Sequence, residues 1–359
     1  MSTSLTDTTA ASRVRPFVLT ALVLLVAAVG LLWAKWLPYT DRVLTLSGSP
    51  VWKGTSVLLA GEGQPPLARA WQFTLIYSGA VWKALAVALV VAASVDALVP
   101  RQWLLRVLRR RTSLRGSVVG GLAALPGMMC TCCAAPLAVT MRRAGVPTSA
   151  ALAFWLGNPL LNPAVLVFLA LLVPWPWVAV RAVFGLVLVV GVTALLGNLV
   201  QRRGAELPAA ADRAVAGALA DPDPEPALRE LGSRWLRSFG RLVLVLVPEY
   251  FVVVFLVGLV GAPLSGLIGH TGLLALLVAA LAGAVLVLPT GGEIPILVGL
   301  AAAGASAGVL GALLITLPAL SLPSIVMVGR AMTWRVTLLT AAATVAVGVV
   351  AGGLLTLVG

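Results

Sequence analysis

The chain has 359 residues, of which 60% are hydrophobic and only 10% are charged, and its mean hydropathy is +1.06. A water-soluble protein of this size cannot bury so much apolar surface, so the composition excludes an ordinary soluble protein and indicates one solvated by a lipid bilayer. The formal net charge of +13 could suggest nucleic-acid binding. Because the arginines lie at the ends of apolar segments, where they meet anionic lipid, we predict no nucleic-acid partner.

The first apolar segment, residues 16–37, follows Arg13 and Arg15. It is longer than the apolar core of a signal peptide and is followed by no convincing cleavage site. We therefore predict a retained signal-anchor helix with a cytoplasmic N-terminus in a bacterial-type inner membrane. Residues 1–70 would hold this helix and an outer loop that starts at residue 38.

Seven apolar segments are long enough to cross a bilayer, and each is bounded by charge, proline or glycine. They are residues 16–37, 71–99, 147–173, 177–200, 241–261, 306–328 and 334–358. Two further stretches, 116–143 and 272–304, are too long for one span and too short for two, and a Pro/Gly-rich motif interrupts each. Such breaks are tolerated only where the freed backbone is buried or lines a cavity, so we predict re-entrant hairpins or broken helices.

The distribution of charge favours the hairpin interpretation. If both broken stretches return to the face they came from, 19 of the 25 Lys and Arg residues lie inside, as the positive-inside rule requires. Four would lie outside (Lys35, Arg42, Lys53 and Arg69) and two in the membrane (Lys83 and Arg181). Residues 201–240 contain an Asp/Glu-Pro run that cannot bury a core, and we predict a cytoplasmic linker there.

An internal repeat connects the two halves, residues 71–200 and 241–359. Pro136, Gly145 and Pro159 recur 159 residues later as Pro295, Gly304 and Pro318. The first half would begin outside and the second inside, so the fold class predicted is an all-α polytopic membrane protein with an inverted repeat and an extra N-terminal helix. Chance recurrence of Pro and Gly in an apolar chain is the alternative, and the sequence allows a homo-oligomer.

All three cysteines, Cys130, Cys132 and Cys133, lie at the first break. Thiolates suit soft ions such as Cu(I), Zn or trivalent arsenic, so this cluster is a candidate site for a transported metal. The structural alternative is that cysteine serves as a small packing residue where helices approach closely.

Glu293 lies at the second break, where an unpartnered carboxylate costs about 2.5 to 3.5 kcal/mol at the bilayer centre. It could carry a proton or hold a cation. Asn158 and Asn162, about one turn apart beside prolines, would line the substrate path or join helices by hydrogen bonds.

Lys83 and Glu249 occupy equivalent positions in the two halves and are opposite in charge. We predict that they pair near the pseudo-two-fold axis, with snorkelling of Lys83 to an interface as the alternative. Asp96 and Arg181 lie near segment ends and are interpreted as interfacial anchors. His270 can form no histidine-based metal cluster because it is the only histidine.

Motifs of soluble enzymes are absent from the sequence: it has no Walker A sequence, no dinucleotide fingerprint beside a strand and no zinc-protease helix. We therefore predict that the chain is not an enzyme and uses no cofactor. Its partners would be the lipid bilayer and a small thiophilic ion or organometalloid.

Three motifs resemble a family of predicted permeases that includes the YraQ proteins and the organoarsenical efflux permease ArsP, over residues 71–359. They are the Cys-x-Cys-Cys…Pro136-Leu137…Gly145 hairpin, the Phe154…Asn158-Pro159…Asn162-Pro163 helix and the Pro289…Ile294-Pro295-Ile296…Gly304 echo. The resemblance implies efflux of trivalent organoarsenicals or metal ions, with Cys130, Cys132 and Cys133 as ligands. The family more often shows a Cys-Ser-Cys-Gly type run, so Cys133 is a departure.

The leading functional hypothesis is therefore a proton-coupled or uniport-like efflux permease for a thiophilic metal or metalloid. Metal uptake and export of a thiol-linked small molecule are alternatives. The competing class is a membrane scaffold or enzyme subunit whose cysteines exchange disulfides with a partner.

Overall fold

The computed structural model describes residues 5–51, 63–98, 112–202, 228–260 and 269–358, and the secondary structure in these ranges is helical. The α-helices are α1 (Leu5–Leu31), α2 (Leu37–Gly48), α3 (Pro66–Leu98), α4 (Ser113–Ala124), α5 (Thr131–Arg143), α6 (Thr148–Leu160), α7 (Pro163–Leu172), α8 (Trp175–Leu186), α9 (Thr193–Arg202), α10 (Leu228–Val260), α11 (Leu273–Val285), α12 (Glu293–Ala302), α13 (Ala307–Ala319), α14 (Leu322–Ala331) and α15 (Trp334–Val358). Lys53, the basic stretch 101–111 and the acidic middle of the predicted linker lie outside the described residues.

Six helical segments in the described ranges are long and apolar enough to cross a membrane. A seventh forms if α13 and α14, which meet at an angle of 48°, are counted as one bent span. Large apolar side chains such as Leu244, Leu274 and Leu357 are exposed on the outer faces. So much exposed apolar surface is suited to lipid and not to water. The prediction of an all-helical, multi-pass membrane protein is confirmed.

The N-terminal helix does not end at residue 37, so the predicted outer loop from residue 38 is wrong. A π-helical turn, Leu32–Trp36, joins α1 to α2, and the Leu37 amide donates to the Leu32 carbonyl. Pro38 then lies in the first turn of α2, directly after the π-helical turn. The helix therefore continues to Gly48, and the residues after the π-helical turn pack against the rest of the protein.

The boundaries predicted for the central pair of helices also need correction. Helix α3 starts at Pro66 instead of residue 71, and α10 starts at Leu228, inside the predicted linker. Helices α3 and α10 pack against each other and so join the two halves of the chain.

Both predicted breaks are present as interruptions between two short helices. Between α4 and α5 lie a 3₁₀ turn, Leu125–Gly127, and residues 128–130; between α11 and α12 lie residues 286–292. In both halves the helix before the break packs against the helix that follows the pair: α4 contacts α6, and α11 contacts α13. That either pair is re-entrant stays a prediction.

Helix boundaries repeat along the chain with the offset expected from the sequence. Helices α13, α14 and α15 begin 159 residues after α6, α7 and α8. Gly145 and Gly304 follow α5 and α12, and both have φ +89°. This left-handed conformation favours glycine because a Cβ would clash with the neighbouring carbonyl. The repeat therefore extends from sequence to backbone conformation, while its inversion in the membrane stays a prediction.

Replacing Gly304 by alanine is expected to lower the free energy of unfolding by about 1 to 2 kcal/mol, because its φ of +89° places a Cβ in the left-handed region. Gly299→Ala is the matched control from α12, the helix that precedes Gly304: nothing lies within 4 Å of a Cβ there, and alanine favours a helix interior. Chemical denaturation of both variants in detergent measures the difference. Equal stability of the two variants would contradict the expectation.

Candidate functional site

The three thiols converge at the first break. Cys130 is the N-cap residue of α5, and Cys133 follows it by about one helical turn on the same face. The Cys130 Sγ lies 3.0 Å from the Cys132 Sγ and 3.2 Å from the Cys133 Sγ. All three sulfurs lie within 4.8 Å of one another, and all three side chains are buried and free of disulfides. One soft ion could therefore be held by all three thiols.

Backbone conformation turns the chain into this cluster. Met128, two residues before Cys130, has φ +48° and ψ +34°. A non-glycine residue in the left-handed region costs about 1 to 3 kcal/mol and persists only where its surroundings fix it. Asn158 contributes to this, since its Oδ1 accepts a hydrogen bond of 3.4 Å from the Met129 amide. Its Nδ2 donates to the Phe154 carbonyl at 2.9 Å.

Asn162 is near the site but faces its own helix. Its Oδ1 accepts from the amides of Ala164 and Val165 at 3.0 and 3.3 Å, so it is the N-cap of α7. Its Nδ2 is buried without a partner among the described residues. Of the two asparagines predicted to line a path, only Asn158 bonds to the loop that carries the cysteines.

Tyrosine side chains that were not predicted as site residues surround the cluster. The Tyr77 hydroxyl lies 3.3 Å from the Cys132 Sγ, and the Tyr77 ring contacts the Tyr250 ring at 5.9 Å between centroids. A third tyrosine, Tyr39, donates from its hydroxyl to the Met128 carbonyl at 3.4 Å. The chain has three tyrosines and all three lie around this break. Their scarcity in an apolar sequence is the signal that could have identified them.

The tip of the first break touches the second half of the chain. The Thr131 Oγ1 and the Ser321 Oγ are 3.1 Å apart, and the Ser321 Oγ in turn donates to the Ser324 Oγ at 3.0 Å. Ser321 lies between α13 and α14, at the position equivalent to Asn162 in the repeat. The thiol cluster is thus built where elements of both halves meet.

Glu293 forms a buried ion pair that corrects the interpretation of Arg181. The Arg181 guanidinium lies 3.1 Å from the Glu293 Oε1, with side-chain exposures of 0% and 3%. Arg181 is therefore not an interfacial anchor. It also donates to the carbonyls of Leu160, Pro159 and Leu314, at 3.1, 2.8 and 2.9 Å.

Proline explains why these three carbonyls need a donor. Pro163 and Pro318 have no N–H, so the carbonyls of Pro159 and Leu314, four residues earlier, lose their helical partners. The Ala164 amide is bonded to Asn162, which leaves the Leu160 carbonyl open. One guanidinium therefore supplies donors to helices of both halves of the chain where proline or a cap leaves carbonyls unpaired.

Lys83 and Glu249 do not pair, and that prediction is wrong. The Lys83 ammonium lies over the rings of Trp33 and Trp82, at 5.3 and 5.9 Å from their centroids. Glu249 instead accepts from Arg330 at 3.0 Å. Helix α3 turns its small apolar side chains toward the core and leaves Lys83 on its outer face.

The N-terminal helix reaches the tips of both breaks. The Lys35 Nζ donates to the Thr290 Oγ1 at 3.1 Å and to the Tyr39 hydroxyl at 3.2 Å. The Trp36 Nε1 donates to the Pro126 carbonyl at 2.9 Å. Lys35 is 9% exposed, because the helix that carries it packs over the breaks. That it lies on the outer side of the membrane stays a prediction.

Comparison with known proteins places this arrangement in a family. The family model described as a predicted permease matches residues 67–358. The chain belongs to this predicted permease family. The UPF0718 protein YraQ of Escherichia coli K12 is 38% identical over 338 residues, which cover 93% of this chain and 94% of that protein. No solved structure matches the chain.

Membership identifies this chain as a predicted membrane permease. The cysteines, Arg181 and Glu293 lie within the matched part of the predicted permease. The N-terminal helix, with Lys35, Trp36 and Tyr39, precedes the match although it contacts the core of that part.

Proposed function

We propose that this permease exports a thiophilic metal or metalloid and binds it through Cys130, Cys132 and Cys133. The observation that carries the proposal is the convergence of three buried sulfurs within 4.8 Å at a helix break. Thiolates select soft ions, and an unwound backbone inside a permease is expected where a substrate binds. Trivalent arsenicals, copper and zinc belong to the substrate class that fits this ligand set.

We also propose an inverted repeat with alternating access around this site. Its support is the repeated helix register and the two contacts between the halves, Thr131 with Ser321 and Arg181 with Glu293. The arginine-rich inner loops would hold the N-terminus in the cytoplasm of a bacterial-type inner membrane. Outward transport follows from this proposal because a thiol site at a cytoplasm-side hairpin can collect its substrate inside the cell.

Disulfide exchange with a partner protein is the competing function. It requires that a partner thiolate reach one of the sulfurs. The three side chains are at most 3% exposed and are covered by Tyr77 and the N-terminal helix. Burial of this kind favours a small ion over a protein as the ligand.

A triple variant, Cys130→Ser with Cys132→Ser and Cys133→Ser, tests the proposal in cells that lack the native permease. Expression of the native protein should lower the accumulation of arsenite, antimonite, copper or zinc, and the triple variant should not. Thr131→Ser is the matched control, since it changes the same helical turn and keeps all three sulfurs. Unchanged accumulation and resistance in the triple variant, at equal membrane abundance, would disprove thiol-dependent export. Mixed disulfides trapped on the native protein would support the redox alternative.

A further inference from the structure

Lys35 is a buried cation whose partners are neutral. Its ammonium bonds to Thr290 and to Tyr39, and lies 5.3 Å from the centroid of the Tyr39 ring. Within the described residues it forms no ion pair with a carboxylate. A charge removed from water without a counter-charge is costly, so a lysine in this place needs a partner that is negatively charged when the protein works.

The thiol cluster is a group near Lys35 that becomes negative when its thiols lose their protons. Tyr39 connects the two, since its hydroxyl accepts from Lys35 and donates to the carbonyl of Met128, two residues before Cys130. Lys35 is thus one hydrogen-bonded side chain away from the loop that leads into Cys130. A negative charge that forms on the sulfurs therefore forms within the field of Lys35.

The charge left on the cluster depends on the substrate. A divalent ion such as Cd²⁺ bound by three thiolates gives a complex of charge −1: three S–H protons leave to solvent and three Cd–S bonds form. An arylarsenoxide reacts differently, because its arsenic keeps the organic group. Two As–S bonds replace the bonds to oxygen, the two thiol protons leave with that oxygen as water, and the adduct is neutral.

We propose that Lys35 is a specificity-determining residue that favours divalent thiophilic cations, held by all three thiolates, over organoarsenicals. The positive charge stabilises the anionic tris-thiolate complex and does nothing for the neutral arsenic adduct. This inference rests on the proposed function, in that it takes the thiols as the binding site. It assigns to the N-terminal helix, which lies outside the family match, a part in substrate selection.

The test is binding of Cd²⁺ and of phenylarsine oxide to the purified full-length permease in detergent. Lys35→Met and Lys35→Gln remove the charge, and the glutamine keeps the capacity to bond to Thr290 and Tyr39. Lys35→Arg keeps the charge. We expect the two neutral variants to bind Cd²⁺ about tenfold more weakly, a change of about 1.4 kcal/mol. Their affinity for phenylarsine oxide should stay within about twofold of the native value, and Lys35→Arg should resemble the native protein with both probes.

Three outcomes would overturn the inference. If the affinities for Cd²⁺ and for phenylarsine oxide fall equally, Lys35 acts only through its structural contacts with the two breaks. If neither affinity falls, the charge of Lys35 does not act on the site. Loss of Cd²⁺ affinity in Lys35→Arg as well would show that charge is not the cause. The triple cysteine variant separates this from failure of the proposed function: if it binds both probes as the native protein does, the thiols are not the site.

Discussion

Replacing Arg181 by glutamine is expected to lower the free energy of unfolding by about 3 to 5 kcal/mol, the largest stability change we expect from any single substitution. The variant leaves the buried Glu293 carboxylate without its counter-charge and removes donors from three carbonyls that have no partner in their own helices. An amide can replace only part of this set.

Glu293→Gln should cost less, because Arg181 keeps its three carbonyl acceptors and the amide oxygen can still accept. The double variant Arg181→Gln with Glu293→Gln should recover part of the loss of the single arginine variant, since no unpaired carboxylate remains. Arg241→Gln is the matched control: it breaks an ion pair with Asp96 in which the arginine is 60% exposed, and such pairs contribute about 0 to 1 kcal/mol.

Denaturant titration of the four variants in one detergent measures these differences. If Arg181→Gln is as stable as Arg241→Gln, the contacts of Arg181 do not contribute measurably to the free energy of unfolding. Equal losses for Arg181→Gln and Glu293→Gln would show that the ion pair, and not the carbonyl contacts, accounts for the stability.

Cys130→Ser is expected to separate binding from folding. Cys130 is the N-cap of α5 but makes no capping hydrogen bond, whereas serine is among the preferred N-cap residues. The serine hydroxyl should therefore turn to the free amides of the first helical turn and raise stability by up to about 1 kcal/mol. The same rotation takes the oxygen out of the cluster, where the Cys130 sulfur lies 3.0 and 3.2 Å from the other two.

Affinity for Cd²⁺ should then fall at least about 100-fold, since even groups that only support a metal ligand cost about 10- to 100-fold when removed. Cys130→Ala is the control, because it loses the sulfur and gains no cap, and its stability should not rise. Ultraviolet absorption of the thiolate–cadmium bonds, measured beside a thermal melt, reports both quantities. A Cys130→Ser variant with native affinity would place the site elsewhere.

Sequence reasoning found the features whose signals are local. Apolar length located the spans, and Pro/Gly runs located both breaks, because a missing N–H or a left-handed residue interrupts a helix wherever the rest of the chain lies. The cysteine cluster is a local feature of the same kind, because three thiols within four residues stay near one another in any fold. The offset of 159 residues likewise predicted the start of α13 from that of α6.

Features that depend on distant partners were missed. Arg181 lies near a segment end and so resembled an interfacial anchor, yet its acceptors are carbonyls of other helices, including Leu314. Lys35 follows a complete apolar span, and no signal in the sequence indicated its contacts with Thr290 and Tyr39. Lys83 and Glu249 were paired by alignment, but equivalence in sequence does not determine which helix face points inward. Each of these errors concerns which group a charged side chain contacts in the folded protein.

The π-helical turn at Leu32–Trp36 determines how α2 is rotated about the helix axis relative to α1. A π-helical turn holds one residue more than an α-helical turn, so the side chains that follow it depend on that extra residue. If the same residues wound as a regular α-helix instead, α2 would be turned by about 100° relative to α1. Trp36 would then lose its hydrogen bond to the Pro126 carbonyl, and Tyr39 would lose its hydrogen bond to the Met128 carbonyl. The π-helical turn thus fixes the rotation at which this helix meets both breaks.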